Sequence, residues 1–298
     1  MSEAIKFRSG FVTIVGRPNV GKSTLLNTMV GEKVAIVSNR PQTTRNRIMG
    51  VVTRPGWQIV FLDTPGIHNP RTKLGEYMMQ SVKDAMDGND ALVMMVDATQ
   101  IGEQDRRLAK EMSEKKLPRF LVINKLDLLP REKLLGIMAG FADMNYDAII
   151  PISAKTGDGV EELLKALSDS LPEGPQYFPE DMMTDQPERQ ICAELIREKA
   201  LLHLRDEVPH GIGVEMMAIT KESDTFTEIH ATIYCEREAH KGIIIGKHGA
   251  MLQQIGSEAR EDIERLLDTH VNLKLWVKVR PDWRNRTDDL RTLGYESK

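Results

Sequence analysis

Gly16-Arg17-Pro18-Asn19-Val20-Gly21-Lys22-Ser23 sets two glycines, a lysine and a hydroxyl in the spacing GxxxxGK[ST]. That combination suits a polyphosphate. The glycines let backbone N–H groups turn inward on phosphate oxygens, Lys22 can neutralise the β and γ positions, and Ser23 can ligate Mg2+. Thr24, the next residue, completes this candidate set. Asp63-Thr64-Pro65-Gly66 closes the apolar run Trp57 to Leu62, so a carboxylate emerges at a strand end. Asp63 suits Mg2+, usually through water, and the Gly66 N–H can meet a γ-phosphate, which would make the loop from Ile67 onward sensitive to that phosphate. Taken alone, the same four residues also read as an Asx-capped turn.

Asn124-Lys125-Leu126-Asp127 and Ser153-Ala154-Lys155 end two further apolar runs. A carboxylate accepts from both N1–H and the 2-amino group of guanine, donors that adenine lacks there, so Asp127 reads as the guanine selector. A buried carboxylate left unpaired against ATP would cost several kcal/mol, at the upper end for a charged group. Asn124 is expected to brace the loop, Lys125 to pack over the base, and the Ala154 N–H to reach guanine O6. Read singly, NKLD is also a solvated loop and Ser153 a helix cap. Their order after the phosphate loop is what favours a GTP site with GTPase activity.

The elements needed to position these groups are visible. From Phe11 to Leu171 the runs FVTIVG, WQIVFLD, ALVMMVDA, RFLVINK and AIIPISA alternate with amphipathic stretches, the pattern of a mostly parallel sheet covered by helices. The fold class expected is α/β: a phosphate-loop domain over residues 1–174, a Pro-rich linker over 175–188, and a smaller α+β domain with a C-terminal tail over 189–298. Pro172, Pro175, Pro179 and Pro187 mark the linker. The second domain reads as a helix (about 189–205), strands near 212–220 and 226–236, a helix, a glycine-bounded loop, a helix and a strand ending near Arg280.

Ile244-Ile245-Gly246-Lys247-His248-Gly249 forms that loop. A GxxG turn lets the backbone approach a sugar-phosphate chain, Lys247 adds charge, and an adjoining apolar groove can take splayed bases, the layout of a type II KH module. It is equally a helix corner with a glycine cap. Residues 181–298 carry 17 Lys and Arg against 22 Asp and Glu, which excludes a generic RNA coat. Lys274, Lys278 and Arg280 are expected to join the loop in a local phosphate track.

Composition sets the outer limits. The 298 residues, 41% apolar with net charge −4, suffice for two cores. Cys192 and Cys235 lack disulfide or zinc spacing. MSEAIKFRSG is not a signal sequence, and no apolar run reaches transmembrane length. A cytoplasmic protein is expected.

GRPNVGKS, DTPG, NKLD and SAK together resemble the motif set of the translation-factor-related GTPases, and Pro18-Asn19 inside the loop with Gln42-Thr43-Thr44-Arg45, followed by Asn46 in the candidate first switch, resemble their Era and tRNA-modification GTPase branch. A GTPase domain, a linker and a KH domain resemble the Era family of bacterial ribosome-assembly GTPases over essentially the whole chain. The resemblance implies that Thr44, or else Thr43, joins Mg2+ only in the GTP state. It implies that Asn19 can hold a monovalent cation such as K+, against the plain reading of a turn residue. It further implies binding to the 3′ end of 16S rRNA in the 30S subunit, assistance in its maturation, and peripheral contact with the inner membrane face; a monomer is expected. Ile67 stands where Ras-like proteins carry a water-orienting glutamine, so hydrolysis is expected to be slow unless another element positions water. A membrane-associated signalling GTPase, and an RNA chaperone in which GTP is structural, remain alternatives.

Overall fold

Every residue of the run Ala91–Asp97 is buried, and its side chains divide by parity. Ala91, Val93 and Met95 enter one core, while Leu92, Met94 and Val96 enter another on the opposite face. This is the two-sided burial that a central parallel strand requires. In the computed structural model, which describes residues 7–40, 42–67 and 70–295, this strand is β4. Its companions are β1 (Arg8–Gly16), β2 (Ile48–Arg54), β3 (Trp57–Asp63), β5 (Arg119–Asn124) and β6 (Ala148–Pro151), with helices α1 (Lys22–Val30), α2 (Lys73–Met86), α3 (Glu103–Ser113), α4 (Arg131–Ala139) and α5 (Val160–Ser170).

The sheet order is β2-β3-β1-β4-β5-β6. All pairs are parallel except β2 with β3. The sequence pattern does not announce β2. Gly50 interrupts its apolar run, and a Cβ there would come within 2.5 Å of Leu26 Cδ1, so α1 lies against that backbone.

The second unit follows the expected order: α6 (Glu188–His203), β7 (Gly213–Ser223), β8 (Phe226–Cys235), α7 (Glu238–Ile245), the GxxG loop, α8 (Ala250–Leu267), β9 (His270–Val279) and a short α9 (Thr287–Thr292). Its sheet runs β7-β8-β9, antiparallel then parallel. Leu195 and Ile196 of α6 and Ile255, Ala259 and Ile263 of α8 share one core with Ile229, Ala231 and Ile233 of β8. The tail is part of the fold: Trp283 is fully buried and donates its indole N–H to the Gly211 carbonyl at 2.9 Å.

The boundaries differ from the sequence expectation in two ways. The first unit comprises Met1–Ala35, Thr44–His68 and Met79–Asp185, and the second Ile36–Thr43, Asn69–Met78 and Gln186–Lys298. Much of the expected linker thus belongs to the first unit, because the prolines keep their carbonyls and the residues between them keep both carbonyls and N–H groups to bond. Ser9 Oγ donates to Pro175 O, the Tyr177 and Phe178 N–H groups donate to Gln58 Oε1, and the Val51 N–H donates to Met183 O at 2.8 Å. Conversely, two segments from within the first domain's sequence pack in the second unit. Of the expected second switch loop, residues 67–73, His68 and Asn69 lie outside the described residues.

Candidate functional site

The loop Gly16–Gly21 joins β1 to α1, and glycine is required at both ends. A Cβ on Gly16 would fall 2.5 Å from the Met95 carbonyl oxygen, and one on Gly21 (φ +104°) 2.3 Å from Asn124 Nδ2. Gly66 closes on the same loop, where a Cβ would meet the Pro18 backbone at 2.6 Å. Lys22, buried, donates to the carbonyls of Gly16 and Arg17 at 3.2 and 3.0 Å. Burial, partly offset by Asp63, lowers its ammonium to about 8. Asn19 is exposed, with φ +64°. Arg17 is tied to Asp105 at 2.6 Å.

Three oxygen-bearing side chains meet at the start of α1. Ser23 Oγ donates to Asp63 Oδ2 at 2.6 Å and lies 2.9 Å from Thr44 Oγ1. Asp63 is wholly buried, and its Oδ1 has no hydrogen-bond partner. Burial raises its carboxyl to about 6, against the lowering pull of Lys22 and Ser23. Two hydroxyls and a carboxylate with an unsatisfied oxygen form a hard donor set that fits Mg2+. Among the described residues there is no group of three or more His, Cys, Asp or Glu that could hold a metal ion. Of the two candidate switch threonines, Thr44 is the one at Ser23. Thr43 Oγ1 instead bonds Ser38 and the Arg40 carbonyl.

At the far end of the same strand edge, Asn124 is a brace. Its Nδ2 donates to Val20 O at 2.8 Å, and its Oδ1 accepts the Ala154 N–H at 2.9 Å. That corrects one expectation: the Ala154 N–H is engaged by Asn124 rather than held for guanine O6, because the amide lies within reach. Asp127 accepts from Ser153 Oγ at 2.8 Å and, against the expectation of a buried carboxylate, is exposed. Lys125 takes φ +70° and pairs with Asp97 at 2.6 Å. Burial alone would raise the Asp97 carboxyl, but bonds from Lys125 and Thr99 hold it below its ordinary value. Sequence reasoning missed Asp97, although an apolar run ending in Asp is the signal that singles out Asp63. Thr28, also missed, donates to Ala154 O at 2.6 Å. Thr24, Leu126 and Lys155 flank these groups, with Lys155 in solvent.

In the second unit, the GxxG loop caps α7. Gly246 (φ +72°) leaves only 2.7 Å for a Cβ against Met251, Gly249 has φ +83°, and Lys247 and His248 are exposed. An open groove beside it is lined by Gly249, Leu252, Gly256, Leu273 and Leu275 together with the polar Gln253, Ser257, Arg260 and Asn272. Two expectations need correction. Ile244 is fully buried in the core while Ile243 is the exposed isoleucine, because the helical period turns Ile244 inward. Lys274 and Lys278 alternate with the core-facing Leu273, Leu275 and Val277, which places them on the sheet face opposite the helices. Lys274 there bonds Glu228 at 2.8 Å, and Arg280 stacks on Tyr234 and pairs with Asp289 at 3.3 Å. They form no continuous track with the loop.

Comparison with known proteins matches residues 11–125 to a family described as 50S ribosome-binding GTPase and residues 207–284 to the KH domain. The chain is 55% identical to GTPase Era of Ruminiclostridium cellulolyticum over 98% of this chain and 99% of that one. It is 51% identical to GTPase Era of Alkaliphilus metalliredigens over 98% and 100%. The chain belongs to the GTPase Era family. It is therefore a GTPase with a P-loop α/β domain and a C-terminal KH domain. A solved Era in complex with MgGDPNP and nucleotides 1506–1542 of 16S ribosomal RNA superposes with TM-score 0.93 at 41% identity, covering 98% of this chain and all of that one. A single-residue variant of Aquifex aeolicus Era bound to GDP·AlF4− gives TM-score 0.93 at 40% identity over the same shares. Among the described residues of this Era-family chain, no helix is long and apolar enough to cross a membrane.

Proposed function

We propose that this chain is a GTP-gated assembly factor of the 30S subunit that binds the 3′ end of 16S rRNA through its KH domain. The observation that supports this most is the full-length likeness to an Era solved with both a Mg2+–GTP analogue and 16S rRNA, joined to a nucleotide site and a GxxG groove in one chain. In this reading Ser23, Thr44 and Asp63 hold Mg2+, which neutralises phosphate charge when bound. The loop N–H groups from Asn19 to Ser23 and the Lys22 ammonium bind the β and γ oxygens. Asp127 accepts the guanine N–H donors while Asn124 and Ser153 fix its loop.

Hydrolysis forms a bond between a water oxygen and the γ-phosphorus and breaks the β–γ bridge, leaving GDP and phosphate. Ile67 offers that water no side-chain partner, and its N–H is donated to Gly16 O at 3.2 Å. Turnover is accordingly slow, and in this reading Asn19 holds K+ beside the phosphates. Equal turnover in K+ and Na+ would remove that role.

RNA affinity changes with nucleotide because the γ-phosphate orders the two switch loops. Peripheral attachment to the inner membrane face, checked by vesicle flotation, and a monomeric state, checked by sedimentation, complete the reading. It is tested by measuring binding of a 16S 3′-end oligonucleotide with GDP and with GDPNP bound. The RNA-chaperone alternative requires equal affinities.

A further inference from the structure

Within the first unit, β4 and β5 end side by side, with Asp97 and Asn124 paired in register. The next residue, Lys125, has φ +70°, a left-handed conformation that a residue with a Cβ disfavours. Such a backbone persists only where its neighbours hold it, and here they do. Asn124 Nδ2 donates to Val20 O, the Leu126 N–H donates to Ile152 O at 3.2 Å, and the Leu128 N–H donates to Lys125 O at 3.0 Å. These bonds fix the Lys125 backbone and leave its side chain to be placed separately.

Asp97 places it. Lys125 Nζ lies 2.6 Å from Asp97 Oδ2, while Asp97 Oδ1 accepts from the Thr99 N–H at 2.9 Å and from Thr99 Oγ1 at 2.7 Å. Both carboxylate oxygens are used, and among the described residues the Asp97 side chain bonds only Lys125 and Thr99. The carboxylate is buried and tied to its own turn, so it cannot follow a lysine into solvent. A free lysine keeps its ammonium in water and loses rotamer freedom when a ligand immobilises it. With the ammonium tethered, much of that freedom is already lost before a ligand arrives, and the aliphatic stem is the part left to meet a flat ring.

We infer that Asp97 is a positioning residue for the base: by tethering the Lys125 ammonium it pre-orders the Lys125 stem against the face of the purine. This rests on the reading of Lys125 as the side chain that packs over guanine while Asp127 reads its edge. Asp97 then raises affinity for the nucleoside part of the ligand and discriminates neither the edge of the base nor the number of phosphates.

The test measures dissociation constants of GDP, GDPNP and IDP, whose base lacks the 2-amino group, on the full chain in wild type, Asp97→Asn, Lys125→Ala and the double variant. Asp97→Asn is expected to weaken all three by the same factor, about fivefold. The double variant is expected to be no weaker than Lys125→Ala, and Asp97→Glu to restore part of the loss. A role confined to holding the loop would displace Asp127, so the preference for GDP over IDP would shrink. That result, additive losses in the double variant, or a loss in Lys125→Ala with none in Asp97→Asn would overturn the inference alone. No loss in either single variant would remove the reading of Lys125 and the inference with it. Should Asp97→Asn not fold, Thr99→Ala at an exposed position removes one of the two bonds that hold the carboxylate. A smaller loss, again equal for GDP and IDP, is then expected, and none would overturn the proposal.

Discussion

Each of the two units carries a glycine-bounded turn that opens a helix, and the two turns are built in opposite ways. At Gly16–Ser23 the groups around the turn are buried and cross-braced: Lys22, Asp63 and Asn124 are each at most 6% exposed. At Gly246–Gly249 the lysine and histidine stand in solvent and the open side of Gly249 meets nothing within 4 Å. A mononucleotide can be enclosed, and enclosure makes each charge count for more. A polymer must be approached from outside, where backbone access and a shallow groove matter more than any one charge.

If that contrast is right, damage should scale with enclosure. Lys22→Ala should lower kcat/KM for GTP by about 100-fold or more in a steady-state phosphate-release assay, with RNA binding in GDP retained. Asp127→Asn should weaken GTP by about 30-fold and turn preference toward xanthosine triphosphate, whose 2-carbonyl accepts from the new amide. Competition binding between the two nucleotides checks it, and retained guanine preference would break the assignment. Lys247→Glu in the exposed turn should cost about tenfold in RNA affinity and lower the salt slope by about one, with GTP turnover unchanged.

The smallest effect is in pH. Asp63 is raised from 3.8 to about 6 by burial, so Mg2+-dependent GDPNP affinity should fall about fourfold from pH 7 to 5.5 as the carboxylate protonates. Stability without nucleotide should move the other way. A folded-state value above the unfolded one contributes stability that is present below pH 3.8 and is lost as pH rises through about 6. Urea unfolding across that window checks the sign, and parallel trends would show that Asp63 is not the group responsible.

What is legible in the sequence depends on what each residue answers to. Asp63, Asn124 and Ser153 sit at strand ends that apolar runs announce, and the GxxG turn is set by glycines whose φ no other residue favours. Asp97 has the same announcement but stands in no phosphate or base motif, so its pairing with Lys125 emerges only in three dimensions. Lys274 and Lys278 are misgrouped by a charge count, which ignores the two-residue period of β9 that turns them away from the helices. Residues 36–43 could not be placed from sequence at all. Their partners Arg197, Glu198 and Leu204 lie about 160 positions on in the chain, and nothing local in a short polar loop records a long-range anchor.

The central claim is that the γ-phosphate sets the RNA affinity of the KH groove. Titrating a single-stranded 16S 3′-end oligonucleotide into the full chain at fixed salt, once with GDP and once with GDPNP, tests it most directly. Tighter binding with GDPNP is the predicted result, and equal affinity in the two states would contradict it.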